Sequence, residues 1–249
     1  MVSSMPSSHL HDVSTTAVDR NEVEREPDLV RFARAERIVH WCTATLMLTL
    51  MATGAALYAG PVSTFVGRRE LVRTVHVFAG LALPVPLIIG LVGRWGASLR
   101  RDLGRLNRWS RGDRRWFRKK FRAQVRLGKF NPGQKLNAVF LGAAGVVMLG
   151  TGIILKWFNL FPIDYRTGAT FVHDWFAIGI WLAVGGHILF ALRDPVALGA
   201  MLRGWVPARW ARQNRPRWYE EETGLPAERP KPARKPIQHP RRRSIDSSR

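Results

Sequence analysis

Four of the seven histidines lie inside or at the edge of long apolar stretches of the chain. They are His40, His76, His173 and His187, whereas His9, His11 and His239 lie near the chain ends. An ionisable side chain among apolar residues is costly, so such residues usually mark a functional site. These four histidines are therefore the first candidates for chemistry.

Two of these histidines share one face of a predicted helix. His173 and His187 are 14 residues apart, which on an α-helix leaves their side chains only about 40° apart around the axis and about 21 Å apart along it. Both imidazoles then face the same side at two depths. Two planar cofactors stacked along the inside of a helix bundle need this arrangement.

The stretches that carry the histidines are long enough to cross a membrane. Four segments lack Asp, Glu, Lys and Arg almost completely, with Asp174 as the exception: 38–67, 74–93, 136–155 and 167–192. Each reaches the roughly 20 residues that span about 30 Å of hydrocarbon as a helix. The sequence predicts an all-α integral membrane protein, a four-transmembrane-helix bundle with spans at about 38–59, 73–93, 136–156 and 171–192, and excludes a soluble globular enzyme.

The chain is strongly basic, with a formal net charge of +21, which suggests nucleic acid or an anionic membrane surface as a partner. The middle loop holds 15 Lys and Arg between Arg94 and Lys135, against Asp102 and Asp113. Because basic loops stay in the cytoplasm, we place this loop and both termini there, in the bacterial cytoplasmic (inner) membrane. That position explains the charge, so we predict no nucleic-acid partner.

Apolar side chains recur among the arginines of the middle loop: Leu99, Leu103, Leu106, Trp109, Trp116 and Phe117. This pattern predicts a short helix that lies on anionic headgroups of the membrane lipid.

The two ends of the chain are poor in apolar residues. We predict disordered tails at residues 1–28 and 223–249, the second rich in Arg and Pro, on either side of a membrane domain at 29–222. The single cysteine, Cys42, excludes a disulfide framework and a thiolate metal site, and the absence of C-x-x-C-H excludes covalently attached haem.

Alternating helices place one histidine pair in each half of the membrane. His76 and His173 lie near the outer face, and His40 and His187 lie near the cytoplasmic face. Two imidazoles can hold one haem iron from both sides, which leaves no open coordination position and favours electron transfer. We therefore predict two haem groups, one at each pair.

Other roles for membrane histidines remain open. Each histidine can hydrogen-bond across helices or line a proton path. A zinc-transport site is a further alternative, but it would need carboxylates, and Asp174 is the only acid in the predicted spans.

Glycines and arginines recur beside the histidines. Gly54 and Gly90 each lie 14 residues after a histidine, where they can clear space for a large cofactor or simply allow close helix packing. Arg37 and Arg73 lie one turn before His40 and His76, where they can meet haem propionates or anchor helix ends at the headgroups.

The residues resemble the cytochrome b (gamma) subunits of membrane-bound respiratory formate dehydrogenases over about residues 31–222. The matching residues are Arg37, His40-Trp41, His76–Gly80, the run Gly128–Lys135, His173, His187, Arg209–Ala211 and Pro216–Tyr219. The chain departs from that family at Val77, where a proline is frequent, and at Arg215, where a histidine is frequent.

This resemblance implies two b haems, held by His76 with His173 and by His40 with His187. It also implies a quinone site beside the inner haem, formed by Asn131, Gly133 and Gln134. From the residues alone, Asn131 can equally cap a helix that has Pro132 in its first position. Both roles are compatible.

The resemblance further implies a place in a larger complex. Electrons would come from an iron-sulfur (beta) subunit at the outer face and leave to menaquinone or ubiquinone near the cytoplasmic face. Formate oxidation would belong to a catalytic (alpha) subunit with molybdenum or tungsten, so we predict no catalytic residue in this chain. The alternatives are the cytochrome b subunit of another quinone-linked complex, such as a hydrogenase or a sulfur-compound reductase, and a haem-free membrane anchor or transporter.

Overall fold

The computed structural model describes residues 27–61, 64 and 67–227. The tails predicted at 1–28 and 223–249 lie outside these residues except for their inner ends. Residues 223–227 continue the packed domain past the predicted boundary at 222, and the side chain of Ala227 is buried. The disorder predicted for the tails stays a prediction.

Helices make up most of the described chain. The helices used below are α1 (Arg34–Tyr58), α2 (Arg69–Ala82), α3 (Val85–Val92), α4 (Ala97–Asn107), α5 (Arg111–Trp116), α6 (Pro132–Lys156), α7 (Ile163–Leu192), α8 (Pro195–Arg203), α9 (Ala208–Asn214) and α10 (Pro216–Thr223). Short 3-10 turns lie at Arg94–Gly96, Lys119–Gln124 and Phe158–Leu160.

Four spans among these helices are long and apolar enough to cross a membrane: α1, α2 with α3, α6, and α7. Large apolar side chains point away from the bundle, and Val146 and Leu182 are 74% and 73% exposed. Water would penalise such exposure along whole helices, whereas lipid favours it. The prediction of a multi-pass helical membrane protein is confirmed.

Each span begins before the apolar stretch that predicted it. The helices start at Arg34, Arg69, Pro132 and Ile163, four to eight residues upstream of the predicted spans. The apolar stretch marks only the hydrocarbon part, and the first polar turn of each helix extends beyond it.

Two prolines divide the second span. Helix α2 ends at Ala82 and α3 begins at Val85, with Pro84 and Pro86 around the junction. Proline has no backbone N–H and its ring clashes with the preceding turn, so the regular hydrogen bonding is interrupted here.

The middle loop contains two helices, α4 and α5, where the sequence predicted one. Helix α4 ends at Asn107, and Ser110 begins the next helix because its hydroxyl accepts a hydrogen bond from the backbone N–H of Asp113 at 3.1 Å. In return the carboxylate of Asp113 accepts one from the backbone N–H of Ser110 at 2.8 Å. This reciprocal capping box starts a new helix only six residues long.

The described chain also contains a small strand pair that the all-α prediction omitted. Strands β1 (Leu29–Val30) and β2 (Trp205–Val206) pair antiparallel, with Leu29 opposite Val206. The turn before β2 is made by Gly204, at φ +102°, where a side chain would be strained. Strands of two residues have too little alternation to be recognised in a sequence.

Both ends of the described chain fold together on one end of the bundle, and we call this unit the terminal cap. Its core holds Phe32, Ala200, Val206, Ala208, Ala211, Trp218, Tyr219 and Ala227. The cap contacts the middle loop, because the backbone N–H of Arg217 donates to the carbonyl oxygen of Leu127 at 3.1 Å and Arg105 pairs with Glu222 at 2.7 Å. The middle loop and both chain ends therefore lie on the same side of the bundle.

Trp218 is the largest fully buried side chain of the cap, so we expect Trp218→Ala to lower the free energy of unfolding by about 3–5 kcal/mol. Thermal denaturation in detergent and trypsin cleavage within residues 205–227 measure the effect. Trp205→Ala, at a side chain 38% exposed, is the matched control. Equal losses for the two variants would contradict this account of the cap.

Candidate functional site

The four membrane histidines form two pairs inside the bundle. His40 on α1 faces His187 on α7, with ring centres 6.2 Å apart and ring planes at 60°. His76 on α2 faces His173 on α7, with ring centres 6.4 Å apart and planes at 64°. We call them the cap-side pair and the distal pair, since the indole of Trp41, next to His40, donates to the carbonyl oxygen of Met201 in the cap helix α8.

The spacing within each pair suits one metal ion held between two imidazoles. Two metal–imidazole bonds of about 2.0–2.1 Å place the ligating nitrogens about 4 Å apart and the ring centres about 6 Å apart. The observed 6.2 and 6.4 Å match this spacing. The described residues contain no group of three or more His, Cys, Asp or Glu side chains that could bind a metal.

A packed apolar layer lies between the two pairs along α7. Ala144 of α6 and Ile180 and Val184 of α7 are buried there, and Met47, Met51, Phe140, Leu141, Met148 and Phe176 pack around them. This layer keeps the two histidine pairs as separate sites and excludes water between them.

Threonine hydroxyls contact both histidines of the distal pair. The Oγ1 of Thr53 on α1 lies 2.9 Å from Nδ1 of His76, and the Oγ1 of Thr151 on α6 lies 2.8 Å from Nδ1 of His173. Neither threonine was among the site residues predicted from the sequence. The Thr-Gly dipeptide occurs four times, at 53–54, 151–152, 167–168 and 223–224, and those at 53–54 and 151–152 share a histidine 22 or 23 residues after the threonine.

Glycines lie at the edges of the distal rings. A Cβ on Gly54 would lie 3.4 Å from Cε1 of His76, and one on Gly152 would lie 3.7 Å from Cε1 of His173. Gly54 thus lies beside a histidine of the neighbouring helix, and haem packing at this glycine stays a prediction. An apolar cleft of about 440 Å³ opens on the same side of the bundle, between Thr151 and Ile154 of α6 and Ala169 of α7.

Gly90 has a different environment. A Cβ there would lie 2.7 Å from Cδ2 of Leu99 and 2.8 Å from Cγ2 of Val39. Its visible role is the close approach of α3 to α1 and α4, and clearance for a haem stays a prediction.

The two candidate propionate ligands have protein partners. Arg37 donates from Nη1 to the carbonyl oxygen of Arg203 at 2.7 Å, where it satisfies the C-terminus of α8. Arg73 pairs with Glu70 at 2.6 Å on the exposed side of α2. These contacts anchor helix ends, and propionate binding by either arginine stays a prediction.

The candidate quinone residues form the start of α6. The Oδ1 of Asn131 accepts from the backbone N–H of Gln134 at 2.8 Å, and the Oε1 of Gln134 accepts from the backbone N–H of Asn131 at 2.9 Å. Gly133 lies against Asn131 and the indole of Trp116. The capping alternative is therefore observed, and it uses the oxygens of both amides and leaves their NH₂ groups outside the capping box.

A buried charge cluster lies beside this helix start. Lys129 binds Asp102 and lies 3.7 Å from Glu36, and the side chains of all three are 6% exposed. Nearby, Lys135 pairs with Asp113 at 3.0 Å. Burial alone would raise the pKa of the Asp113 carboxyl, but hydrogen bonds from Ser110 and Lys135 outweigh burial and hold that pKa below its ordinary value.

A polar cavity of about 160 Å³ adjoins the cluster, with Arg31, Glu36, Ser98, Asp102 and Lys129 in its wall. Buried polar atoms of Arg31, Glu36 and Ser98 have no hydrogen-bond partner among the described residues, and a cavity of this size and polarity can hold several water molecules. Burial and the nearby Arg215 lower the pKa of Arg31 to about 9. The guanidinium lies between the rings of Phe32 and Trp210, at 5.2 and 4.8 Å.

Several known proteins are similar to this chain over most of its length. The family model described as prokaryotic cytochrome b561 matches residues 31–204. The formate dehydrogenase cytochrome b556 subunit of Haemophilus influenzae is 27% identical over 209 residues, 81% of this chain and 86% of that subunit. In Escherichia coli K12, the b556(fdo) subunit is 28% identical, covering 80% of this chain and 95% of that subunit. The nitrate-inducible b556(Fdn) subunit of the same organism is 24% identical, covering 78% of this chain and 91% of that subunit.

Lys129 lies between two buried carboxyl groups, so its removal leaves Glu36 without a cation partner and Asp102 with Arg105 alone. We expect Lys129→Met, which keeps the side-chain length, to destabilise the protein by about 3–5 kcal/mol. Thermal denaturation in detergent is the measurement. Lys120→Met removes one charge from an exposed position and should have little effect. A Lys129 variant as stable as the Lys120 variant would show that the cluster contributes no stability.

Proposed function

Because the chain belongs to the prokaryotic cytochrome b561 family, it is a multi-pass membrane protein that binds haem b, and we propose that it is the cytochrome b subunit of a formate dehydrogenase complex. The observation that carries the proposal is the pairing of four membrane histidines at 6.2 and 6.4 Å. The relatives whose names state this function match about four fifths of the chain.

We propose that each pair holds one haem b. His40 and His187 would supply the axial nitrogens on the cap side, and His76 and His173 would supply them at the distal side. When bound, the two haems provide one-electron transfer across the membrane without an open coordination position. The histidines contribute fixed depth and facing rings, because each stands on a helix packed in the bundle.

The proposed orientation puts the terminal cap in the cytoplasm of a bacterial cell, with the protein in the cytoplasmic (inner) membrane. The basic middle loop lies on the same side as both described chain ends, so one orientation satisfies the positive-inside rule for all of them. The distal pair then lies near the outer face. An iron-sulfur subunit, which links the chain to a molybdenum or tungsten subunit that oxidises formate, would dock there.

The cap side offers what quinone reduction needs. The NH₂ groups of Asn131 and Gln134 are free of the capping box and can donate to quinone carbonyl oxygens, whereas Gly133 lies against Trp116 and a quinone contact there stays a prediction. The polar cavity beside Lys129 and Glu36 can hold water and supply protons from the cytoplasm. Menaquinone and ubiquinone both present carbonyl oxygens to such donors.

Purification of the protein with its bound partners also tests two alternative functions. A cytochrome b subunit of a hydrogenase or a sulfur-compound reductase would copurify with different partners. A haem-free anchor or transporter would fold without stoichiometric haem.

Formate added to the purified complex should reduce two b haems per chain. In His76→Ala or His173→Ala we expect one haem to be lost and formate to leave the remaining haem oxidised, because the site nearest the iron-sulfur partner is empty. In His40→Ala or His187→Ala the other haem is lost, formate still reduces the remaining one, and quinone reduction stops. Haem-to-protein ratios and reduced-minus-oxidised spectra measure both effects. His239→Ala, near the C-terminus, is the control, and a folded wild-type protein without stoichiometric haem would refute the proposal.

The two roles of Asn131 can be separated by substitution. Asp is as good a helix cap as Asn but has no NH₂ group. We expect Asn131→Asp to keep thermal stability and to slow quinone reduction on the order of tenfold, the effect of losing one hydrogen bond of about 1.5 kcal/mol. Asn131→Ala should lose about 1 kcal/mol of stability as well.

Ser110→Ala removes the corresponding cap of α5 and serves as the control, with quinone reduction unchanged. Normal quinone kinetics in Asn131→Asp would leave capping as the only role of this residue.

A further inference from the structure

We infer that Thr53 and Thr151 are positioning residues for the distal pair: their hydroxyls accept hydrogen bonds from His76 and His173 and leave Nε2 of each ring free to bind iron. This inference rests on the haem ligation of the proposed function. It assigns the ligating nitrogen of each distal histidine and predicts a property that distinguishes the distal haem from the cap-side haem.

The hydrogen bonds of Thr53 determine which atom donates. A hydroxyl has one proton, and the Oγ1 of Thr53 donates it to the carbonyl oxygen of Thr49, at 2.6 Å, one turn earlier on α1. With the hydroxyl proton donated to that carbonyl oxygen, we assign the proton in the 2.9 Å contact with His76 to Nδ1, which donates to a lone pair on the hydroxyl oxygen. In a neutral imidazole with its proton on Nδ1, Nε2 carries the lone pair that a metal needs.

Thr151 repeats this arrangement on α6. Its Oγ1 donates to the carbonyl oxygen of Val147 at 2.9 Å and lies 2.8 Å from Nδ1 of His173. Because the hydroxyl proton of Thr151 is assigned to the bond with Val147, the proton in the contact with His173 is assigned to Nδ1 of the ring. Both distal rings are therefore held in one tautomer and one orientation by the neighbouring helix.

The same spacing between a threonine and a histidine occurs in both hairpins. Thr53 precedes His76 by 23 residues and Thr151 precedes His173 by 22, and each threonine is followed by a glycine that lies at the edge of the ring. A Cβ at Gly54 or Gly152 would lie 3.4 or 3.7 Å from the ring, which is ordinary van der Waals contact, so the glycines border the rings and the hydroxyls make the specific contact. Two hairpins of the bundle thus present their histidines in the same way.

The cap-side pair lacks this support. Among the described residues, the ring contacts of His40 are with Trp41 and His187, and no hydroxyl is hydrogen-bonded to either histidine of that pair. A hydrogen bond from the distant nitrogen makes an imidazole a more basic ligand and stabilises the more oxidised metal. Removing a threonine hydroxyl should therefore raise the midpoint potential of the distal haem alone.

The test is a spectroscopic redox titration of the haem-loaded complex with Thr53→Val, Thr53→Ser, Thr151→Val and Thr151→Ser. We expect both valine variants to shift one of the two midpoint potentials upward, and the same one in both, while the other stays unchanged. The serine variants keep the hydroxyl and should titrate like the wild type. The low-temperature paramagnetic resonance spectrum of the same ferric haem should change with the potential.

Thr49→Val is the matched control. Thr49 donates to the carbonyl oxygen of Thr45 at 2.9 Å, as Thr53 does to Thr49, but it has no histidine partner in the described structure. This variant removes the same intrahelical bond and should leave both potentials unchanged. Loss of the distal haem in the valine variants, with retention in the serine and Thr49 variants, also supports the inference.

Unchanged potentials in both valine variants at full haem content would overturn the inference, as would an equal shift in Thr49→Val. The outcome is distinguishable from failure of the proposed function. If His76→Ala keeps both haems, the ligand assignment itself is wrong. If His76→Ala loses one haem while Thr53→Val and Thr151→Val titrate normally, only the role of the hydroxyls is wrong.

Discussion

Inside a bilayer every polar group needs a partner within the protein, because lipid supplies none. The arrangement around the distal histidines follows from this constraint. Thr53 and Thr151 satisfy their own protons on the preceding helical turn and use the remaining lone pairs for a histidine on the next helix. Burying an unpaired hydroxyl in the bilayer costs free energy. That cost is offset when one backbone carbonyl and one ring nitrogen complete the hydrogen bonds of the hydroxyl.

At the cap side, buried charges rather than hydroxyls partner one another beside the bundle. Lys129 is buried between the side chains of Glu36 and Asp102. Two residues later, Asn131 is the N-cap of α6. The run from Gly128 to Lys135, which carried much of the resemblance, is therefore a structural motif as well as a candidate quinone site. Arg215, one of the departures from that family, is a buried cation of the terminal cap close to Trp210. It therefore belongs to the packing of the cap and lies apart from the histidine pairs.

The bundle could be predicted because the hydrocarbon core of a membrane imposes a minimum length and an apolar composition on each spanning helix, and both are evident in the amino-acid sequence. The sequence also predicted which histidines lie together, since alternating helices fix the depth of each residue. It could not reveal the terminal cap, whose strands are two residues long and whose core joins residues near 30, 206 and 218. The partners of Thr53 and Thr151 were missed for a similar reason: a threonine in a membrane helix usually bonds only to its own backbone, and a single Thr-Gly dipeptide carries no signal until its repeat is compared with the histidine that follows.

The two ends of the bundle differ in their capacity to exchange protons, and this difference matches the proposed division of labour. On the cap side, Glu36, Asp102 and Lys129 lie beside a cavity large enough for water, so under the proposed function protons would enter on the side where quinone accepts electrons. At the distal pair the Nδ1 atoms are held by hydroxyls, which neither gain nor lose protons near neutral pH. Electron entry at that end then needs no accompanying proton uptake by these groups. Electrons would cross the membrane from the outer side to the cytoplasmic side, and protons would be consumed on the cytoplasmic side. Both processes together would let such a subunit contribute to the membrane potential.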